Sequence, residues 1–120
     1  MNDTTITIQE LKDAATAFVN ERDWQQFHGP KNLSTGIAIE AAELMDLFAW
    51  VKDKEEATAI VQAKRTHVAQ ELADIIITAF LFAEECNIDV SQAVKEKLAL
   101  NRAKYPIEKA KGKNLKYTDL

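Results

Sequence analysis

The chain has 120 residues, 47% of them apolar, which is the size of one ordinary domain with a core of its own. Its 19 acidic and 15 basic residues give a net charge of -4 with no long basic block, which argues against duplex nucleic acid as a partner. No uninterrupted apolar run reaches the roughly 18 to 20 residues of a membrane span, no basic patch and apolar core open the chain, and the lone Cys86 excludes an intrachain disulfide. The expectation is a soluble, cytoplasmic protein without a membrane partner, in which Cys86 is a small buried filler.

Three glycines and two prolines, with abundant Ala, Leu, Glu and Lys, favour helix throughout and no sheet. After residues 1–6, expected to be flexible, Thr7 and Glu10 form a capping-box pattern. Leu11, Ala14, Ala15, Phe18 and Val19 then carry a first helix to about Arg22. Asp23 to Leu33 breaks the period, contains the turn signal Gly29-Pro30 and reads as a loop holding Trp24, Phe27, His28 and Asn32. Ser34 is the expected N-cap of a second helix whose stripe of Ile37, Ala41, Leu44, Phe48 and Val51 runs to the charged stretch Lys52 to Glu56.

Residues 55–64 read as an exposed helix with a break near Lys64, followed by a third apolar helix over Val68 to Cys86. Asp89 and Gln92 signal the start of a fourth, carrying Val90, Val94 and Leu98 on one face and ended by Pro106. The tail from 107 to 120, IEKAKGKNLKYTDL, shows no helical stripe. The lysines crowding this end serve solubility, or help hold a small polyanion. Short connections between such helices make an antiparallel four-helix bundle in one domain over residues 1–120. Two helices that are apolar nearly all round make it oligomeric.

Glu40 and Glu43 interrupt the apolar stretch GIAIEAAELMDLFAW, and Glu71 and Asp74 interrupt VAQELADIIITAF in the same way. Acids three apart share a helix face, and a buried carboxylate is costly unless paired or bound to a metal. Packed antiparallel, the two helices bring four carboxylates together, which must bind a cation or stay partly protonated. All-oxygen ligation without His or Cys points to magnesium or manganese rather than zinc. The competing reading, ion pairs with Lys64, Arg65 or Arg102, ranks second. The intervening stretch KDKEEATAIVQAKRTHVAQ reads as a charged helical spacer without a substrate motif.

The ExxE and ExxD pairs, with ERDWQQFHGPKNL and LFAW around the first, NRAKYP at the end of the fourth helix and the terminal KYTDL, resemble the MazG-like all-α nucleoside triphosphate pyrophosphohydrolases, in particular their dCTP pyrophosphatase-like branch. The resemblance covers roughly residues 21–120. It implies that Glu40, Glu43, Glu71 and Asp74 are the metal ligands and catalytic residues. It implies base contacts from Trp24 and Trp50, where core packing is an equal alternative for Trp50. By the same likeness Asn101, Lys104 and Tyr105 lie near sugar and phosphates; His28 could bond the base or a phosphate from the same loop, and Lys31 is a weaker candidate for phosphate contact. Thr78 stands where some relatives in the dCTP branch carry tyrosine, which leaves base or sugar selectivity open.

The implied reaction is magnesium-dependent, with manganese as a substitute: (d)NTP plus water gives (d)NMP plus pyrophosphate, with dCTP or a related deoxynucleotide preferred, as nucleotide-pool housecleaning. Glu43 or Glu71 would take the proton of the attacking water. The resemblance further implies a homotetramer, a dimer of dimers, with the tail closing over the site. The alternatives are a related pyrophosphatase acting on dUTP or phosphoribosyl-ATP, and a non-catalytic, antitoxin-like interaction module whose acids pair with another chain.

Overall fold

A computed structural model describes residues 2–120, which form helices and turns with no strand among the described residues. Six α-helices follow one another: α1 (Ile8–Glu21), α2 (Pro30–Asp46), α3 (Lys54–Ala63), α4 (Arg65–Glu85), α5 (Val90–Lys104) and α6 (Ile107–Ala110). The chain divides into two compact units, one ending at Ile88 and the other spanning Asp89–Leu120.

In the first unit the capping box of α1 forms as its sequence dictates: Glu10 N–H donates to Thr7 Oγ1 at 3.1 Å, and Thr7 N–H donates to Glu10 Oε2 at 2.7 Å. The end of α1 is a Schellman motif. Asp23 N–H bonds Asn20 O and Trp24 N–H bonds Val19 O, both at 3.1 Å, which requires the left-handed φ of 54° found at Asp23. The same motif closes α4, where Asn87 N–H reaches Glu84 O, Ile88 N–H reaches Ala83 O, and Asn87 has φ 55°. Asp and Asn tolerate this conformation better than other residues with a Cβ. Cys86, expected as a buried filler, is the half-buried C-cap of α4.

The second helix departs from expectation at both ends. It starts at Pro30 with Gly29 as N-cap, not at Ser34, because proline has a helical φ and lacks an N–H that the first turn could not satisfy. The Ser34 hydroxyl instead donates back to Lys31 O at 2.8 Å. The expected loop therefore shrinks to a 3-10 turn at Gln25–Phe27, tied to α2 by Asn32 Nδ2 donating to Phe27 O at 3.0 Å. At the other end α2 stops at Asp46 rather than Val51. The next amides reach back only three residues, Leu47 to Leu44, Phe48 to Met45 and Ala49 to Asp46, so the helix tightens into turns before Asp53 caps α3. The break expected near Lys64 is present, since Lys64 ends α3 and begins α4.

Helix α4 packs against α1, α2 and α3 and organises this unit. Its Phe80 and Ala83 are buried together with Ala15 and Val19 of α1 and Leu33 of α2. Lys12 of α1 is also buried; its Nζ donates to Ile88 O at 3.1 Å and lies 3.6 Å from Glu84 Oε2, so a cation sits at the carbonyl end of α4 where the helix dipole favours it. Helices α2 and α4 are antiparallel: Gly36 lies beside Thr78, while Asp46, ten residues further on, shares a cavity wall with His67. By length and mean hydropathy alone α4 could cross a membrane, although no uninterrupted apolar run within it is that long. It carries Glu71 and Asp74 along its length, as a bundle helix with a functional face does.

In the second unit Gln92 N–H donates to Asp89 Oδ1 at 2.8 Å and starts α5 as expected. The tail is more structured than its composition suggests. Pro106 caps the short α6, and a 3-10 turn at Tyr117–Asp119 sets the Tyr117 ring edge-on to Tyr105, 6.1 Å between centroids, with Lys104 Nζ 5.0 Å from its face.

Asn87→Val forces a β-branched residue into the left-handed region and lowers stability by about 1 to 2 kcal/mol, whereas Asn87→Gly does not lower it. Urea denaturation followed by circular dichroism measures both.

Candidate metal centre

Antiparallel packing of α2 on α4 brings the ExxE pair of one helix opposite the ExxD pair of the other. One oxygen from each of Glu40, Glu43, Glu71 and Asp74 lies within 4.8 Å of the others. Glu40 and Glu71 are half-buried, and Glu43 and Asp74 are exposed. Each helix thus contributes one inner and one outer carboxylate. The inner two carry the local cost: Glu40 Oε2 and Glu71 Oε2 are buried without a hydrogen-bond partner.

Two like unit charges about 5 Å apart repel by roughly 3 kcal/mol at an effective dielectric near 20, less where water reaches them. Burial, close contact with the Glu43 carboxyl, and the charges of Glu43, Asp74 and Glu71 together push the Glu40 carboxyl above its ordinary range. Among residues 2–88 no lysine or arginine lies within ion-pair distance of the four acids, so the reading of these acids as ion pairs with Lys64 or Arg65 fails. Carboxylate oxygens, two of them buried and unpartnered, in a cluster that no lysine or arginine of residues 2–88 neutralises fit a hard divalent ion.

A cavity of about 920 Å³ opens beside the cluster, with Glu43, Glu71 and His67 as polar wall and Ile39, Met45 and Phe48 among its apolar wall. An apolar hollow with polar groups converging at one end is the usual form of a small-molecule site. Trp50 is 95% exposed beside a neighbouring hollow that it shares with Leu47, Glu56 and Lys64, so the packing role weighed for it is absent within one chain. Trp24 sets its ring edge-on to Phe18 at 5.8 Å and stays half exposed. His28 is half-buried and Lys31 exposed at the start of α2; neither they nor Trp24 line either hollow. Asn101, Lys104 and Tyr105 lie on the last turn of α5 and its C-cap, in the second unit, with Tyr105 N–H donating to Asn101 O at 2.8 Å.

One residue at the site was passed over in the sequence. His67 Nε2 lies 3.1 Å from Glu71 Oε1, although the stretch containing it reads as a spacer. The signal was its i,i+4 spacing to Glu71.

A profile of the MazG-like family matches residues 36–120. The chain is 37% identical to dCTP pyrophosphatase 1 of Rattus norvegicus over 115 residues, 95% of this chain and 68% of the relative. It is 38% identical over 50 residues to the dATP/dGTP diphosphohydrolase of Cyanophage S-2L, which is 42% of this chain and 48% of that protein. The crystal structure of a pyrophosphatase from Archaeoglobus fulgidus is similar with a TM-score of 0.81 and 32% identity, covering 88% of this chain and 98% of that one. Matched by family profile, sequence and fold over most of its length, the chain belongs to the MazG-like family.

Proposed function

We propose that this chain is a magnesium-dependent nucleoside triphosphate pyrophosphohydrolase that converts dCTP, or a related deoxynucleoside triphosphate, to its monophosphate and pyrophosphate. The observation that carries the reading is the group of four carboxylates with two buried, unpartnered oxygens. It sits in a chain 37% identical to a dCTP pyrophosphatase. The name of the phage relative, which refers to purine nucleotides, keeps the choice of base a matter for measurement.

Glu40, Glu43, Glu71 and Asp74 are the residues that would hold the ion, with manganese as a substitute. When bound, it would act as a Lewis acid that neutralises charge at the phosphates during an in-line displacement at phosphorus. The chain's own groups do the rest. Glu43, exposed at the cavity edge, accepts the proton of the attacking water, since Glu71 has one oxygen beside His67 and the other buried. The apolar wall of Ile39, Met45 and Phe48 excludes water from one side of the substrate. Lys104 and Asn101 serve phosphate and sugar, with Tyr105 beside them, while His28 and Lys31 serve as further polar contacts and the indoles of Trp24 and Trp50 offer stacking area for a base. This chemistry belongs to cytoplasmic nucleotide-pool housecleaning.

The exposed apolar residues require cover, and we assign it to other copies of the chain in a homotetramer. Ile39, Met45 and Trp50, and Leu72, Ile76 and Ile77 of α4, are all exposed in one protomer. Light scattering on the purified protein should return about four times the 13.5 kDa chain mass. A monomer would overturn the assignment.

Incubation with a panel of dNTPs and NTPs should give monophosphate and pyrophosphate only with magnesium, fastest with dCTP. Glu40→Gln and Asp74→Asn should each lower kcat by roughly two orders of magnitude or more. A folded protein that hydrolyses no nucleotide would favour the interaction module.

Thermal melts supply a test independent of turnover. Glu40 has a folded-state proton affinity above that of the unfolded chain, so its contribution to stability is present below about pH 4.5 and is lost as pH rises through the higher folded value. Without metal, Tm should therefore fall across this window, and Glu40→Gln should remove that fall. Magnesium binds the charged form, so its stabilisation should grow with pH, reaching about 2.7 kcal/mol at 100 times Kd.

A further inference from the structure

We infer that His67 is a positioning residue for the metal centre, holding Glu71 so that its second oxygen faces the other three carboxylates. The inference rests on the metal-dependent reading of the site. His67 lies one helical turn before Glu71 on α4, and its Nε2 is 3.1 Å from Glu71 Oε1. The two side chains share one wall of the cavity beside the carboxylates.

A glutamate has three side-chain torsions, and a ligand that samples several rotamers must be ordered at the moment of binding. A donor fixed on one oxygen sets the plane of the carboxylate and hence the direction of the other. At Glu71 that other oxygen, Oε2, is buried and has no hydrogen-bond partner, and Glu71 gives one oxygen to the group that converges within 4.8 Å. Of the four acids, Glu71 is the one held by a nitrogen donor among residues 2–88. The imidazole can donate from Nε2 both as the neutral tautomer carrying its hydrogen there and as the cation, so the role does not depend on the charge of His67. Outer groups that orient a ligand carboxylate commonly alter metal affinity 10- to 100-fold, without touching the ion.

A helical histidine and glutamate at this spacing also stabilise an isolated helix slightly, and the test must separate the two roles. His67 is half exposed, so substitution leaves the core intact. Glutamine is the appropriate rescue. Elsewhere in this chain Gln92 Nε2 donates to Glu96 Oε1 at 2.8 Å across the same four-residue spacing, in the same chain direction.

Binding of Mn2+ to the full chain, followed by the loss of the free-ion electron paramagnetic resonance signal, should show a Kd raised roughly 10- to 100-fold by His67→Ala and restored to within about threefold of wild type by His67→Gln. A role confined to the helix would lower Tm in His67→Ala and leave the Kd unchanged, which would overturn the inference. Equal loss in both variants would overturn it as well, because the hydrogen bond would then not be the cause. Wild-type protein that binds no Mn2+ overturns the metal reading itself, an outcome distinct from the other two.

Discussion

Four carboxylates brought together on two apolar helices are a debt of repulsion that the rest of the structure must accommodate. The charges oppose the approach of α2 and α4, and the approach is made by apolar packing around them. A methyl group at Gly36 would lie 3.2 Å from Thr78 Cγ2, one helical turn from Glu40 on α2 and from Asp74 on α4. Thr78 turns its hydroxyl back to Asp74 O at 2.9 Å, so its polar atom is satisfied within its own helix and its methyl faces the neighbour.

The remainder of the first unit keeps α4 in place. Lys12 fixes its carbonyl end to α1, and the Schellman turn at Asn87 satisfies the last carbonyls without a glycine. The buried core is small, formed by Ala15, Val19, Leu33, Phe80 and Ala83, while α4 still exposes Leu72, Ile76 and Ile77. Helix α4 thus turns its two acids toward the pair on α2 and leaves apolar residues exposed elsewhere along its length.

Local signals in the sequence were reliable where a single chemical rule decides the outcome. Thr7 with Glu10, Asp89 with Gln92 and the break at Lys64 all appear where hydrogen-bond capping and charge place them. The four acids were legible because a carboxylate inside an apolar helix has few inexpensive fates. The limits of α2 were not. Gly-Pro is both a turn signal and a helix start, and the choice depends on whether the following residues pack; LFAWV continues an apolar pattern after the backbone has already tightened at Leu47. His67 was obscured by its charged neighbours, since its significance depends on which face of α4 turns toward the cavity. The ordered tail depended on Tyr117 meeting Tyr105, a contact between residues twelve apart that no local rule announces.

The contact between Gly36 and Thr78 also bears on ionic radius. Magnesium binds oxygen at about 2.0 to 2.1 Å and calcium at about 2.3 to 2.6 Å, so a few tenths of an ångström in the separation of two ligand-bearing helices distinguishes the ions. With a hydrogen atom on one helix facing a methyl on the other, one turn from the acids, a side chain at position 36 would have to displace Thr78 or part the two helices. A residue larger than glycine at position 36 would therefore disturb the spacing of the four acids without touching any of them.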